Sequence, residues 1–142
     1  MVEVVTHVDD ELVKAFGRLL PQLSRTAEPV DAEALRRLVG WPGVRLLVAR
    51  VGGEIAGTLT LVTFPIPTGL RAWIEDVVVD ESARGHGVGA ALTAEAVRLA
   101  RGAGARTVDL TSRPSREAAN RLYQRSGFRR RESTVYRYTH TG

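Results

Sequence analysis

A glycine-rich turn, Arg84-Gly85-His86-Gly87-Val88-Gly89, lies between a β-rich run and a helical one, and that order leaves few folds open. Upstream, Arg71-Ala72-Trp73-Ile74-Glu75-Asp76-Val77-Val78-Val79 is dense in β-branched and aromatic residues, which favours a strand. Downstream, Val88, Ala91, Leu92, Ala96 and Leu99 recur at helical spacing until Gly102 and Gly104. Thr107-Val108-Asp109-Leu110-Thr111 is short and β-like again. Strand, helix, strand in that order pair in parallel through a right-handed crossover, so the centre of the chain is predicted to be a βαβ unit.

The flanking elements follow from periodicity and caps. Val2 to Thr6 reads as a short strand, and Asp9 or Asp10 caps a predicted helix with Leu12, Phe16, Leu19, Leu20 and Leu23 along one stripe. Pro21 is expected to bend that helix or end it early. Asp31 starts a second helix with Leu35, Leu38 and Val39 inward, stopped by Gly40 and Pro42. Two β-rich runs, Val44 to Val51 and Glu54 to Thr63, are joined by Gly52-Gly53, which predicts a hairpin. Phe64 to Gly69 reads as a proline-containing loop. After the βαβ unit, Ser112 or Ser115 is expected to cap a last helix presenting Ala118, Ala119, Leu122 and Tyr123, with Gly127 ending it and Phe128 packing behind. One or two closing strands follow, the clearest over Ser133–Tyr138. The expectation is a single α/β domain over residues 1–142, with a mixed, twisted sheet of six or seven strands and helices on both faces.

Composition narrows the function classes. The chain has no cysteine and no apolar run near the roughly 20 residues that span a bilayer, so a disulfide scaffold, a thiolate metal site and a membrane span lack support. A cytoplasmic location is expected. Its three histidines, His7, His86 and His140, are scattered and do not make a metal site. Nineteen of the 20 basic residues are arginine, and their distribution is uneven. Residues 1–97 carry nine basic against 13 acidic side chains, whereas residues 98–142 carry eleven against three. Such a cationic third is either a solvated face or a surface for phosphorylated ligands or nucleic acid. Aromatic residues are only 6% and are not interleaved with the arginines, which disfavours single-stranded nucleic acid.

The turn itself points to a phosphate. The first backbone N–H groups of a helix have no partner within it, and together with the helix dipole they favour an anion. Glycines let the ligand approach. The spacing Gly85, Gly87, Gly89 is not the dinucleotide fingerprint, and the run lacks the Gly-Lys-Ser/Thr of a P-loop.

Asp76-Val77-Val78-Val79 followed by Arg84-Gly85-His86-Gly87-Val88-Gly89-Ala90-Ala91-Leu92 resembles the cofactor motif of the GNAT superfamily of N-acetyltransferases. Thirty-five residues after Arg84, Ala119-Asn120-Arg121-Leu122-Tyr123-Gln124-Arg125-Ser126-Gly127-Phe128 resembles the superfamily's second motif. The likeness covers residues 44–138 closely, and a sub-family likeness to glucosamine 6-phosphate N-acetyltransferases is weak. It implies the GNAT fold and direct transfer of acetyl from acetyl-CoA to a primary amine of a small molecule or peptide. It implies a possible homodimer through the last strand, while composition argues against a membrane or nucleic-acid partner. The competing class is a non-catalytic acetyl-CoA-binding or arginine-rich interaction module.

The resemblance also implies roles for residues. The CoA pyrophosphate would rest on the turn formed by Arg84, Gly85, His86, Gly87, Val88, Gly89 and Ala90. The pantetheine arm would pair with backbone at Val77, Val78 and Val79. Tyr123 would donate a proton to the departing CoA thiolate; without that role it is an aromatic packed on a helix stripe. Arg116 stands where many relatives carry Asn, seven residues before the tyrosine, and is assigned to a CoA phosphate; Asn120 is a further cofactor contact or simply exposed. The acceptor amine must lose a proton, so a base is required. Glu75 and Asp76 are the candidates, and in a regular strand only one of two successive residues faces the acceptor. Glu75 is the expected base, its other reading being a salt bridge to one of the arginines.

Overall fold

The computed structural model describes residues 1–140; Thr141 and Gly142 of the expected domain lie outside the described residues. The chain divides into two compact units, Met1–Thr111 and Ser112–Gly142.

The first unit holds a five-stranded sheet in the order β1-β2-β3-β4-β5. Strands β1 (Val2–Val4), β2 (Val44–Val51), β3 (Glu54–Ile66) and β4 (Gly69–Val79) pair antiparallel, and β5 (Thr107–Asp109) pairs parallel to β4. Helices α1 (Asp10–Leu23) and α2 (Ala32–Val39) lie between β1 and β2 in sequence, and α3 (Val88–Gly102) forms the crossover from β4 to β5. The predicted βαβ unit is therefore present, as is the hairpin. Gly52 and Gly53 take φ of 60° and 83°, the pair of positive values that a two-residue turn needs to match the strand twist.

Gly57 and Thr58 are neighbours on β3 and must face opposite sides of the sheet. A Cβ on Gly57 would sit 2.8 Å from Val88 Cγ1 of α3, whereas Thr58 lines a cavity with Phe16 and Leu20 of α1. Helices thus cover both faces, α3 on one and α1 with α2 on the other. Leu12, Phe16, Leu19 and Leu35 form the buried core of that second face with Leu46, Val48 and Val78.

Asp9 and Asp31 cap α1 and α2 through their side chains, accepting from Leu12 N–H at 2.9 Å and Ala34 N–H at 2.8 Å. Pro21 does not end α1, which runs on to Leu23; proline in the last turn removes one hydrogen bond from a turn that frays in any case. The expected loop at Phe64–Gly69 is instead the far end of a long hairpin, with Phe64 paired to Arg71 and Pro65 to Leu70. The Thr63 N–H bonds Gly43 on the β2 side. Two residues on, the nitrogen of Pro65 points the same way, past the end of β2, where no ladder bond is lost.

Among the described residues the sheet has five strands, not the six or seven expected. Among the described residues of the second unit the only regular element is α4 (Glu117–Arg125). Ser133–Tyr138, expected as a strand, forms no ladder, and Val135, Tyr136 and Tyr138 are exposed. A strand exists only through its partner, and composition alone does not supply one. The cap of α4 also differs from expectation. Arg116 occupies the N-cap without a side-chain bond, and neither Ser112 nor Ser115 takes that place.

Side chains of α1 tie down the segment after β4. Arg18 Nε donates to Asp80 Oδ2 at 2.9 Å, one Arg18 amino group donates to the Ile55 carbonyl at 2.6 Å, and Gln22 Oε1 accepts from Glu81 N–H at 2.9 Å. Arg18 first, then the Ser82 N–H, hold the Asp80 carboxyl below the usual carboxylate range.

Two outcomes are expected. Gly57→Val should lower unfolding stability by about 1–3 kcal/mol, because the stiff Val88 and the Val78 carbonyl, 3.1 Å from the new Cβ, leave no room; a denaturant midpoint unchanged from wild type contradicts the close packing of α3. Asp80→Asn should lower stability above the carboxylate range. The folded-state pKa is depressed, so the contribution of Asp80 is present above its unfolded value and fades as pH falls through the folded one. The stability gap between wild type and Asp80→Asn should therefore close in acid, and a gap constant from neutral pH down to below about pH 3 would show that the Asp80 charge is not responsible.

Candidate functional site

The site begins at an irregularity in β4. Thr60 pairs with Glu75 and Thr58 with Val78, so Leu59 alone stands opposite Asp76 and Val77. Two residues against one is a β-bulge. At its centre Asp76 has φ of 49°, a left-handed conformation that aspartate tolerates better than most residues. Glu75 lies beside Thr60, and Thr60 and Asp76 both border the cavity on the α1–α2 side of the sheet. Strict alternation would have sent these two carboxylates to opposite faces; the bulge puts both on the side of α1 and α2.

Beyond the bulge, among the described residues, no strand pairs with the β4 edge opposite β3. Its pairing with β5 stops at Trp73 opposite Asp109, while β4 continues to Val79. The Asp80 N–H bonds Ala56 on the β3 side. By alternation Val78 also bonds toward β3, and the backbone groups of Val79 and Val77 point to the free edge. An extended ligand can add there as a strand would.

The chain then makes a 3-10 turn at Glu81–Ala83, in which Asp80 Oδ1 accepts from Ser82 N–H at 3.2 Å. Gly85 and Gly87 take φ of 85° and 73°, and a Cβ on either would meet nothing within 4 Å. These glycines are therefore required by backbone conformation, and the space beside them is open. Gly87 is the N-cap of α3. Unlike Asp9 and Asp31 it has no side chain to cap with, and the first turn of α3 holds no acidic residue. Ala91 N–H is the first to bond within the helix, to the Gly87 carbonyl at 3.0 Å, which leaves the N–H groups of Val88, Gly89 and Ala90 without helical partners. Arg84 is exposed at the same turn. Free N–H groups, a positive helix end, no Cβ in the way and one arginine fit a pyrophosphate. His86 is exposed, and its Nδ1–H donates to the Ala83 carbonyl at 3.0 Å, which holds the turn closed.

In the second unit, Tyr123 is half-buried on α4 with its ring edge-on to Phe128, centroids 6.0 Å apart. Gly127 (φ 96°) turns the chain so that Phe128 N–H reaches the Tyr123 carbonyl at 3.0 Å. Burial raises the Tyr123 phenol above its ordinary value, with Arg116 opposing, so it holds its proton at neutral pH. Asn120 Nδ2 donates to the Arg113 carbonyl at 3.0 Å, a contact that fixes the loop before α4. Sequence reasoning missed Arg18 and Gln22, which anchor the turn, and the cavity beside Asp76; both depend on residues far apart in the chain, and no local pattern marks them.

No helix among the described residues is long and apolar enough to cross a membrane. The sequence model of the Acetyltransferase (GNAT) family matches residues 10–128. No curated protein matches the sequence. Among solved structures, an acetyltransferase of Trypanosoma brucei superposes with a TM-score of 0.74 at 28% identity, covering 98% of this chain and 99% of the other. An aminoglycoside acetyltransferase from an uncultured soil metagenomic sample gives 0.85 at 20% identity, covering 100% and 96%. Glucosamine-6-phosphate N-acetyltransferase of Arabidopsis thaliana gives 0.77 at 21%, covering 97% and 98%. At these last two identities the likeness is one of fold. With both the sequence match and the α/β arrangement of five strands and four helices in hand, the chain belongs to the GNAT family of acetyltransferases.

Proposed function

We propose that this chain is an acetyl-CoA-dependent N-acetyltransferase, one domain over residues 1–142, that acetylates a primary amine of a small molecule or peptide. The observation that carries the reading is the start of α3. There two positive-φ glycines and three unpartnered N–H groups stand where α1 and α2 have a carboxylate cap. The family match, which runs across the division between the two units, supports treating them as one domain.

In this reading Val88, Gly89 and Ala90 hold the pyrophosphate through their backbone N–H groups, with Gly85, His86 and Gly87 shaping the turn and Arg84 adding charge. Val77 and Val79 offer backbone groups to the pantetheine arm along the free edge of β4, and Val78 anchors that edge in the core. Acetyl-CoA supplies the thioester whose carbon bonds to the amine nitrogen as the C–S bond breaks, leaving an acetamide and CoA. Glu75 accepts one proton from the acceptor ammonium, the Tyr123 hydroxyl donates one to sulfur, and the second proton lost from nitrogen restores the phenol through water. Arg116 stabilises a CoA phosphate; Asn120 acts through the loop it holds at Arg113.

Saturating acetyl-CoA should raise the melting temperature, since a ligand that binds only the folded state stabilises it by mass action; an unchanged melting temperature sinks the reading. Gly87→Val should weaken acetyl-CoA binding by tenfold or more, as roughly one charge-assisted hydrogen bond is worth, because the branched side chain occupies the approach to the N–H groups and strains a left-handed residue. A folded Gly87→Val protein with wild-type affinity by calorimetry argues against the turn. Tyr123→Phe should lower the turnover number by about 100-fold with little change in acetyl-CoA affinity, because the charge on sulfur develops in the transition state. Normal turnover would leave Tyr123 as a packing residue.

A further inference from the structure

A cavity of about 320 Å³ opens on the α1–α2 face of the sheet beside the β4 bulge. Its walls are mostly aliphatic and aromatic: Phe16, Leu20 and Leu23 from α1, Leu35 and Leu38 from α2, and Val30 from the segment between them. Its volume is at the small end of the range of ligand sites, about 300–1,000 Å³. Polar groups are few. Thr58 borders it but gives its hydroxyl proton to the Leu47 carbonyl at 2.8 Å. The Ser24 hydroxyl is 3.2 Å from that of Thr26. What remains is the Thr60 hydroxyl and two carboxylates, Glu28 and Asp76. Among the described residues no arginine, lysine or histidine lines this cavity, although the chain has 20 arginines and lysines.

Resting on the acetyltransferase reading above, we infer that the acceptor is a primary amine carried on a compact apolar group, such as a phenylalkyl or short alkyl amine, with its ammonium on Asp76. The walls are suited to a ring or alkyl chain, whose burial is favourable, and the few polar groups, set apart among them, are too sparse to pair the several hydroxyls of a sugar. A phosphate would meet two carboxylates and no cation, so a phosphorylated amino sugar is repelled. An ammonium meets the opposite charge. Asp76 is also next in sequence to Glu75 and to Val77, whose backbone faces the free edge. An amine on Asp76 therefore stands beside both the base and the start of the proposed thioester groove. The left-handed φ at Asp76 has a function in this arrangement, since it turns that residue to the same side as Glu75.

The test uses the full chain and two readouts, binding of the amine itself and acetyl transfer. In calorimetry, 2-phenylethylamine should bind at least tenfold more tightly than 2-phenylethanol, its neutral counterpart, and than glucosamine 6-phosphate, as roughly one charge-assisted hydrogen bond is worth. Asp76→Asn should abolish the preference for the amine over the alcohol while leaving the affinity for acetyl-CoA unchanged. Asparagine tolerates the left-handed conformation as aspartate does, so the fold is kept. Equal or tighter binding of glucosamine 6-phosphate, no binding of the phenylalkyl amine, or an unchanged preference in Asp76→Asn overturns the inference. CoA release on mixing 2-phenylethylamine with acetyl-CoA then separates the two readings. Release with that amine and not with glucosamine 6-phosphate supports both. Release with the sugar phosphate alone keeps the transferase and overturns the apolar acceptor. Amine binding without acetyl-CoA binding or CoA release keeps the cation site and overturns the transferase.

Discussion

The extra residue in β4 organises the first unit. With Leu59 opposed by both Asp76 and Val77, β4 changes phase midway, and everything downstream is aimed by that change. Glu75 and Asp76 come to one side of the sheet, Val78 returns to the α1–α2 core, and the backbone of Val77 and Val79 meets an edge that β5 has left. A bulge of this kind leaves a residue unpaired and strains the chain, and it persists because the surrounding ladder over-determines it. Here the ladder is firm on both flanks, from Ile66 opposite Gly69 to Thr60 opposite Glu75, and again from Thr58 to Gly57.

Two further constraints carry the geometry from the bulge to the start of α3. Gly57 lets α3 lie against β3 with Val88 and Leu92 at contact distance, which fixes the height of the helix over the sheet. Arg18 and Gln22 hold Asp80 and Glu81 from the other face. Each of these polar contacts is part-exposed, and a surface ion pair contributes about 1 kcal/mol or less. Their effect is positional. The bulk of the stability comes from the buried apolar residues of α1, α2 and the central strands, such as Leu19, Leu35, Leu47 and Leu59, none of which has measurable exposure.

Charge is also divided within the first unit. Carboxylates serve as caps on α1 and α2 and border the cavity, while the start of α3 is left uncapped with an arginine beside it. One part of the first unit thus favours a cation and another an anion.

Local chemistry alone determined a good part of this. Gly52-Gly53 between two β-rich runs, apolar stripes bounded by caps and glycines, and a glycine-rich turn between strand and helix each act within a few residues, so the hairpin, the four helices and the glycine-rich turn were legible as sequence. The order of β4, α3 and β5 added the parallel pairing, because a right-handed crossover is nearly obligatory. Tyr123 and Glu75 were legible as residues of suitable type, Tyr123 by its place in a motif. The tertiary structure decided what depends on a partner strand or on distant residues. Pro65 is in a strand because β2 ends before reaching it, Ser133–Tyr138 is not because no strand lies beside it, and Asp76 turns to the side of Glu75 because Leu59 faces two residues rather than one. Register is a property of two chains of atoms held together by hydrogen bonds, and a one-residue slip reverses every side chain beyond it. Sequence periodicity on a single strand contains no such information.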